Sequence, residues 1–348
     1  MNLLNNLGGI ALHVNKALAT ALALAATSLG LAGCGTSPST TATPQTTHGK
    51  YTIALINGDN IDPYFLTVWH GAYAQAKKLG IKLIEEAPAT FNYQSQAPLI
   101  NDMIAKHVSA IVLSADGTGN VYNQELALAH KDGIPVIIVD ETQADMNNNP
   151  NALSFITSSN TALAAQAAKE TNSLIHGHGI VGVINTSITV TSLLHRYTGF
   201  ANYLKMHNPG VTVLPQQIAG DSRSVSASLT TDLIESHPNL SAVYAVDSFN
   251  GQGAGTAIRG DGKIGKIKLV AIDAEPQEVS LMKEGVIQAL IAQQPYKVGS
   301  LAVQYAYDAL TGHKNLIQRS VEPPGIVVTP QNLNTPAMQK VVYQTWHP

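Results

Sequence analysis

From residue 50 onward, hydrophobic residues occur as short runs separated by longer segments of mixed polarity. The first four runs are residues 51–57, 81–87, 110–115 and 134–140. Each run is almost continuously apolar, which is typical of parallel strands covered on both faces. The segments between them, 64–79, 95–106 and 121–131, have helical length, and two of them stop close to Gly80 and Gly133. This half of the chain therefore predicts a β-α-β series.

The same pattern restarts after an Asn-rich break, ADMNNNPNA, at 144–152. Apolar runs at 153–159, 179–185, 211–219, 242–247 and 268–274 alternate with predicted helices at 161–175, 192–206, 224–236 and 251–259. Repeated β-α-β units of this kind predict an α/β fold with a doubly wound parallel sheet. Because the pattern occurs twice, we expect two similar lobes.

Composition narrows the class of protein. The chain has 348 residues, of which 45% are hydrophobic and 12% charged, with a net charge of −3. This balance favours a globular protein with a large core, and without a basic run it predicts no nucleic-acid partner. A single cysteine, Cys34, excludes an internal disulfide framework and a thiolate zinc site. We expect neither a metal nor a cofactor.

The N-terminus predicts export. Residues 17–33 carry no charge and follow Lys16, and this run is shorter than the roughly 20 residues of a membrane span. A signal peptide over 1–33 is therefore favoured over a transmembrane anchor, while the long uncharged stretch before Lys16 leaves the start codon open.

The sequence Leu31-Ala32-Gly33-Cys34 resembles the lipobox of bacterial lipoproteins. The resemblance implies that Cys34 is acylated and becomes the first residue of the mature protein. Residues 35–49, GTSPSTTATPQTTHG, contain no large apolar side chain, so residues 34–49 are predicted to be a lipidated Cys and a flexible tether. The protein would then be anchored at the outer face of the cytoplasmic membrane, or periplasmic where an outer membrane exists.

Charged residues follow several predicted strands. Asp62 follows the first strand, Asp140, Asp247 and Asp273 end later ones, and Arg196 lies in a helix after a strand. Ligands of open α/β sheets bind beyond the carboxyl ends of the strands. Each Asp alone could instead be a helix N-cap or a turn former. Together with the guanidinium group, they suit a polyhydroxylated ligand, because each can bind two neighbouring hydroxyls.

Several blocks in this order resemble the periplasmic sugar-binding proteins of the ribose- and galactose-binding type, the receptors of ABC sugar importers. They are the segment from YTIALIN to IKL at 51–83, then IPVIIVD, RYTGFANYL, AVYAVDSFNGQGA, LVAIDAEP and IAQQP, and the similarity extends over 51–332. It implies a small sugar or polyol as ligand and ABC permease subunits as partners of a monomer. The implied ligand contacts are Asp62, Asp140, Arg196, Asp247, Asp273 and Gln293, with Tyr64 and Phe65 as aromatic walls. The alternative for the two aromatic residues is that they begin an amphipathic helix and pack inward.

The resemblance also implies three crossovers between the lobes, near 157, 294 and 325–327. The first lobe is then predicted over 50–156 plus 295–325, and the second over 157–294 plus 326–348. A ligand cleft lies between them, and the lobes close on the ligand by hinge bending.

This sequence departs from the family pattern at three places. Glu141 stands where the ribose-type relatives carry Arg, Asp247 stands where Asn is usual, and no aromatic residue occurs near Gly220. We include Glu141 among the predicted ligand contacts. So many carboxylates around the single Arg196 would repel one another if all were ionised. Either a carboxylate points away or is protonated, or the ligand is cationic, which leaves a polyol, a smaller sugar or an amino sugar open.

Three other interpretations are weaker. A His-Gly-His-Gly turn at 176–179 offers no third metal ligand, so a turn role is favoured. Clustered carboxylates could belong to a glycosidase, but the family they resemble is not catalytic. Sugar-responsive repressors share the two-lobed fold, yet they need a helix-turn-helix where this chain has an apolar run and a polar tether.

Overall fold

The computed structural model describes residues 49–188, 190–345 and 347–348. The predicted signal peptide, Cys34 and all but the last residue of the predicted tether lie outside the described residues. Within those ranges, no helix combines the length and the apolarity needed to cross a membrane.

The first part of the chain alternates strands and helices. Its elements are β1 (Thr52–Ile56), α1 (Pro63–Leu79), β2 (Lys82–Glu86), α2 (Tyr93–Ala105), β3 (Ala110–Ser114), α3 (Asn123–Lys131), β4 (Val136–Val139) and β5 (Ala152–Ile156). These strands form one sheet in the order β5-β4-β3-β1-β2, with every pair parallel. Strands β3 and β4 are buried at every position, because helices cover both faces of the sheet.

The alternation then continues into a second sheet. The elements are α4 (Asn160–Leu174), β6 (Gly179–Asn185), α5 (Thr191–His207), β7 (Val211–Val213), β8 (Gln217–Ile218), α6 (Arg223–Ser236), β9 (Leu240–Ala245), α7 (Ser248–Gly260), β10 (Lys268–Ile272), α8 (Pro276–Lys283) and β11 (Ala289–Ala292). Their sheet has the order β11-β10-β9-β6-β7, and β8 also pairs with β6.

The last part of the chain contributes to both sheets. Its elements are α9 (Pro295–Leu310), a 3-10 turn (Lys314–Leu316), β12 (Ser320–Val321), β13 (Ile326–Val328) and α10 (Pro336–Gln339). Strand β12 pairs with β5 in the first sheet, and β13 adds an antiparallel edge to β11 in the second. We call each sheet with its helices a lobe. The chain thus passes between the lobes after β5, after β11 and after β12.

Two mostly parallel sheets with helices confirm the predicted α/β class. The residue boundaries of the two lobes stay a prediction. The predicted strand at 211–219 is wrong as one element, because it is divided into β7 and β8 around Pro215, which has no backbone N–H to donate to a ladder. Helices α8 to α10, the 3-10 turn and strands β11 to β13 were not predicted.

Helices α1 and α9 approach one another closely in the first lobe. A Cβ atom on Gly71 would lie 1.9 Å from the carbonyl oxygen of Tyr296, and one on Gly299 would lie 1.9 Å from that of Val68. Only glycine permits this backbone approach. The contact fixes α1, the helix whose first turn carries Tyr64 and Phe65.

Candidate ligand-binding site

The candidate site lies at the carboxyl ends of the strands of both lobes. Asp62 follows β1 and Asp140 follows β4 in the first lobe, while Asp247 follows β9 and Asp273 follows β10 in the second. The charge of Asp273 raises the pKa values of Asp62, Asp140 and Asp247, although burial is the larger cause at each. All four residues thus follow strand ends, and the charge of Asp273 influences the other three.

Two of the four aspartates are helix caps as well as site residues. Asp62 is the N-cap of α1, where its carboxylate accepts a hydrogen bond of 2.7 Å from the backbone N–H of Tyr64. Asp247 caps α7 in the same way through the N–H of Asn250, at 2.9 Å. The capping alternative is therefore correct for these two residues. It does not remove them from the site, since one carboxylate oxygen of each is not needed by the cap.

Asp140 and Asp273 have an unusual backbone conformation. Their φ angles are 71° and 88°, in a region that residues other than glycine, Asn and Asp rarely adopt. Such conformations cost about 1–3 kcal/mol and concentrate at functional sites. Both residues lie at strand ends near Arg196. The positive charge of Arg196 acts to lower the pKa of Asp140, and the carboxylate of Asp273 lies near the same guanidinium group.

Arg196 is held from three sides. It lies in the second turn of α5, its side chain is buried, and its Nε donates to Asn160 Oδ1 at 2.9 Å. One Nη1 hydrogen bond reaches the carbonyl oxygen of Val246 at 3.0 Å, and the same nitrogen lies 3.9 Å from Asp273 Oδ2. Burial works to lower the pKa of Arg196, but Asp273 and other nearby acids outweigh it and raise the pKa, so the group is a fixed cation.

Gln293 completes the predicted contacts in the second lobe. Its side-chain Nε2 donates to Asp273 Oδ1 at 2.8 Å, and the residue directly follows β11. Asp273 therefore links Gln293 to Arg196. The structure brings these three predicted residues together at one end of the second sheet.

The two predicted aromatic residues are buried, as the inward-packing alternative required. Both nevertheless pack among site residues. Tyr64 makes an edge-to-face contact with Phe65, and its pKa is raised by burial and by the adjacent Asp140. Its hydroxyl finds no hydrogen-bond partner of standard geometry among the residues that the structure describes. Phe65 stacks on Phe91, with ring centroids 5.8 Å apart. Phe91 was not predicted, and at 44% exposure it extends the aromatic wall toward solvent.

Asp116 is a further acidic residue that the sequence analysis missed. It follows β3 by two residues, so the rule used for the other strand ends applies to it equally. Both of its carboxylate oxygens are buried and have no hydrogen-bond partner of standard geometry within the described part of the chain. Burial, together with Asp140 and Asp59, raises its pKa to about 9. The predicted Glu141 is similar, because burial and Asp140 raise its pKa to about 9.

The acids of the second lobe are better supported by hydrogen bonds. Asp247 accepts a hydrogen bond from Thr186 Oγ1 at 2.6 Å, and burial raises its pKa only to about 6. Glu275 accepts from Ser248 Oγ at 2.5 Å and from Gln252 Nε2 at 2.7 Å, and burial raises its pKa to about 7. The sequence analysis did not single out Glu275. Raised pKa values mean that part of the acidic cluster is protonated near neutral pH, which relieves the predicted repulsion.

Among the described residues, the acidic cluster does not form a metal site. Across residues 49–188, 190–345 and 347–348, no group of three or more His, Cys, Asp or Glu side chains has an arrangement that could hold a metal ion. In the turn at 176–179, the exposed His178 places its Nδ1 3.0 Å from the carbonyl oxygen of His176. That contact is local to the turn.

Comparisons with known proteins agree with this architecture. The family model described as periplasmic binding protein domain matches residues 53–314. The chain is 26% identical over 266 residues to the D-allose-binding periplasmic protein of Escherichia coli (strain K12), covering 75% of this chain and 84% of that protein. It is 25% identical over 296 residues to the ribose import binding protein RbsB of Bacillus subtilis (strain 168), covering 84% and 93%.

A solved structure is also similar. The crystal structure of an ABC transporter solute-binding protein from Agrobacterium vitis, bound with α-D-tagatopyranose, has a TM-score of 0.78 and 31% identity, covering 85% of this chain and 100% of that one. Two α/β lobes with charged groups at the strand ends define a solute-binding protein of the two-lobed class. The chain belongs to the periplasmic binding protein domain family.

Proposed function

We propose that this protein is the extracytoplasmic receptor of an ABC importer and that it binds a small sugar or polyol between its two lobes. The observation that carries the proposal is the convergence of Asp140 from the first lobe with Arg196 and Asp273 from the second. A ligand that contacts all three bridges both lobes.

A sugar fits the chemistry of these groups. Carboxylate and guanidinium groups bind pairs of neighbouring hydroxyls, and the faces of Tyr64 and Phe65 suit the apolar face of a sugar ring. Related proteins bear the names of allose and ribose receptors, and a similar structure holds tagatopyranose. These are an aldohexose, a pentose and a ketohexose, so they support the class of ligand rather than one sugar.

Two acidic residues of the first lobe fit a neutral polyhydroxylated ligand. Asp116 and Glu141 are protonated at neutral pH because their pKa values are raised to about 9. A protonated carboxyl group donates one hydrogen bond and accepts others, so it can bind a hydroxyl without a net charge. A cationic ligand is therefore not required to balance the cluster, and Glu141 can replace the Arg of the ribose-type relatives as a donor.

The mechanism is a shift between open and closed forms. Ligand contacts made by both lobes favour the closed form, which the membrane subunits of the importer recognise. Even an extreme shift, from 1:99 to 99:1, needs only about 5.5 kcal/mol of differential binding. A few hydrogen bonds to charged groups, at about 1.5–3 kcal/mol each, supply that amount. The predicted lobe boundaries, 50–156 plus 295–325 and 157–294 plus 326–348, belong to this proposal, with hinges near 157, 294 and 325–327.

Three further elements of the proposal come from the sequence. The receptor is a monomer, it performs no catalysis, and it is anchored by acylated Cys34 at the outer face of the cytoplasmic membrane. The glycosidase alternative has no support from the related proteins, which are binding proteins.

A thermal-shift screen of the purified full chain tests the function. We expect at least one of D-allose, D-ribose, D-tagatose, D-arabinose or a C4–C6 polyol to raise Tm by several degrees, since a ligand at a hundredfold excess over Kd adds about 2.7 kcal/mol. Asp273→Asn removes the charge, keeps the Oδ1 acceptor for Gln293 and tolerates the positive φ. It should weaken binding ten- to a hundredfold, whereas the exposed Asp132→Asn should not. Turnover of a glycoside by the wild type, or an unchanged shift in Asp273→Asn, would contradict the proposal.

A further inference from the structure

The C-terminal segment, residues 341–345 and 347–348, lies beyond the part of the chain that the family model matches, which stops at residue 314. It is nevertheless tied to the candidate site. Tyr343 is only 2% exposed, and its hydroxyl donates to Asp273 Oδ1 at 3.0 Å. The same hydroxyl accepts a hydrogen bond of 3.0 Å from the backbone N–H of Gln293. Tyr343 therefore holds two of the predicted sugar contacts.

The backbone of Tyr343 belongs to the same lobe as those contacts. Its N–H donates to the carbonyl oxygen of Ala274 at 3.0 Å, one residue beyond Asp273. The residue is thus fixed to the end of β10 by main-chain and side-chain hydrogen bonds. Its ring also reaches the other lobe, because it makes an edge-to-face contact with Tyr64 at 6.1 Å between centroids.

The next residues are fixed to the first lobe. The backbone N–H of Gln344 donates to Thr67 Oγ1 at 2.6 Å, and the imidazole of His347 packs against Trp69 at 4.8 Å between ring centroids. Thr67 and Trp69 both lie on α1, one turn after Tyr64. Consecutive Cα atoms are about 3.8 Å apart, so residues 343 and 344 join the two lobes across the shortest possible distance.

We propose that Tyr343 is a positioning residue of the sugar site and that the C-terminal segment fastens the two lobes together in the closed form. The inference rests on the proposed function for its sugar half. If the lobes separate at this point, either the contacts of Tyr343 with Asp273 and Ala274 or the contact of Gln344 with Thr67 must break. The contacts that orient Asp273 and Gln293 are therefore linked to closure itself.

Two variants separate the two halves of the proposal. Tyr343→Phe keeps the ring but removes the hydroxyl, so Asp273 loses a donor and the Gln293 amide loses its acceptor. Thr67→Val removes the hydroxyl that holds Gln344, and Thr67→Ser is its conservative control, because it retains that hydroxyl. Each is made in the full chain.

The claim that Tyr343 positions the sugar contacts, which we call the sugar half, is tested by calorimetry with D-allose, D-ribose and D-tagatose. For a sugar that binds the wild type, Tyr343→Phe should raise Kd about tenfold, while hydrogen exchange of the Gln293 amide becomes faster. A merely structural tyrosine would lower Tm without changing Kd, and that result would overturn this half. Tighter binding by Tyr343→Phe would also overturn it, because the hydroxyl would then be competing with the sugar. If none of the three sugars binds the wild type, the sugar half fails together with the proposed function for those sugars.

The claim that the C-terminal segment fastens the lobes can be tested without a sugar. Small-angle scattering of the sugar-free protein should give a larger radius of gyration for Thr67→Val than for the wild type and for Thr67→Ser, because the contact of Gln344 with Thr67 holds part of the sugar-free population closed. Equal radii for all three proteins would overturn it, whatever the calorimetry shows. The failure of this inference is therefore distinguishable from the failure of the proposed function.

Discussion

Asp116 and Glu141 are buried carboxyl groups of the first lobe, and burial raises the pKa of each to about 9. In the unfolded chain such groups have pKa values of about 4. A carboxyl group with a raised pKa in the folded state favours folding fully below its unfolded pKa, and that contribution is lost as the pH rises through the folded value. The protein should therefore become less stable between about pH 4 and pH 9.

This pH dependence can be assigned with one substitution. Asp116→Asn is close to isosteric and cannot ionise, so it should raise Tm at pH 8 by at least about 2 °C relative to the wild type. At pH 3 the gain should disappear, because Asp116 is then protonated in both states. Differential scanning calorimetry from pH 3 to pH 9 measures the effect.

Asp102→Asn is the control for that experiment. Asp102 is half exposed and pairs with Lys106 on the surface of α2, so its removal should produce no pH-dependent gain. A pH-independent Tm difference for Asp116→Asn would contradict the assignment.

The individual site residues that could be predicted from the sequence lie at strand ends, whereas the one that could not is positioned by tertiary packing. Asp140 and Asp273 could be predicted because the carboxyl end of a strand is readable from a buried apolar run. Asp116 carries the same mark and could have been found. Tyr343 carries none, because its contact with Asp273 joins positions 70 residues apart and depends on tertiary packing.

Among the contacts between secondary-structure elements, the packing of α1 against α9 matters most for the site. Gly71 and Gly299 let the two helix backbones approach to a distance that no other residue allows. Because Asp62 caps α1 and Tyr64 and Phe65 lie in its first turn, the position of α1 against α9 also sets the position of these side chains.

Gly71→Ala should therefore affect both stability and binding. Its Cβ would lie 1.9 Å from the carbonyl oxygen of Tyr296, so the helices must separate, at a cost of about 1–3 kcal/mol. Urea unfolding measures the loss, and calorimetry with the best sugar of the thermal-shift screen measures the weaker binding.

Gly260→Ala is the matched control on a helix. Nothing lies within 4 Å of its added Cβ, so helix propensity predicts a gain of up to about 1 kcal/mol. Equal stability changes in the two variants would show that close packing is not the cause.

Elements were predictable where they are long or fully apolar. The apolar runs predicted β1, β3 and β4 with nearly correct ends. The segments of helical length did the same for α1 and α2. Strands β12 and β13, with two and three residues, are too short to leave a pattern. The antiparallel pairing of β13 with β11 is set by the third passage of the chain between lobes, which hydrophobic period does not encode.

The whole molecule combines two lobes, several chain connections between them and a candidate site that draws residues from both. A receptor of this kind must remain near its importer while it samples solute. The acylated Cys34 and the flexible tether proposed above would achieve this by raising the effective concentration at the membrane. Two acyl chains give stable anchoring, whereas one is marginal.

Anchoring through Cys34 predicts a clear change in cells. Cys34→Ala should lose incorporation of a clickable fatty acid, because the acyl acceptor is gone, and it should either mature poorly or leave the membrane fraction. Thr36→Ala, two residues along in the predicted tether, should behave as the wild type. Incorporation of the fatty acid into Cys34→Ala equal to that into the wild type would contradict the anchor.

The positive φ angles of Asp140 and Asp273 also have a consequence for redesign of the protein. A left-handed backbone admits glycine, Asn and Asp more readily than other residues and penalises longer or branched ones. Few amino acids other than these three are therefore tolerated at the two positions. A library that seeks a new sugar should hold them within that set. It should vary Glu141, Asp247 and Phe91, whose backbones impose no such restriction.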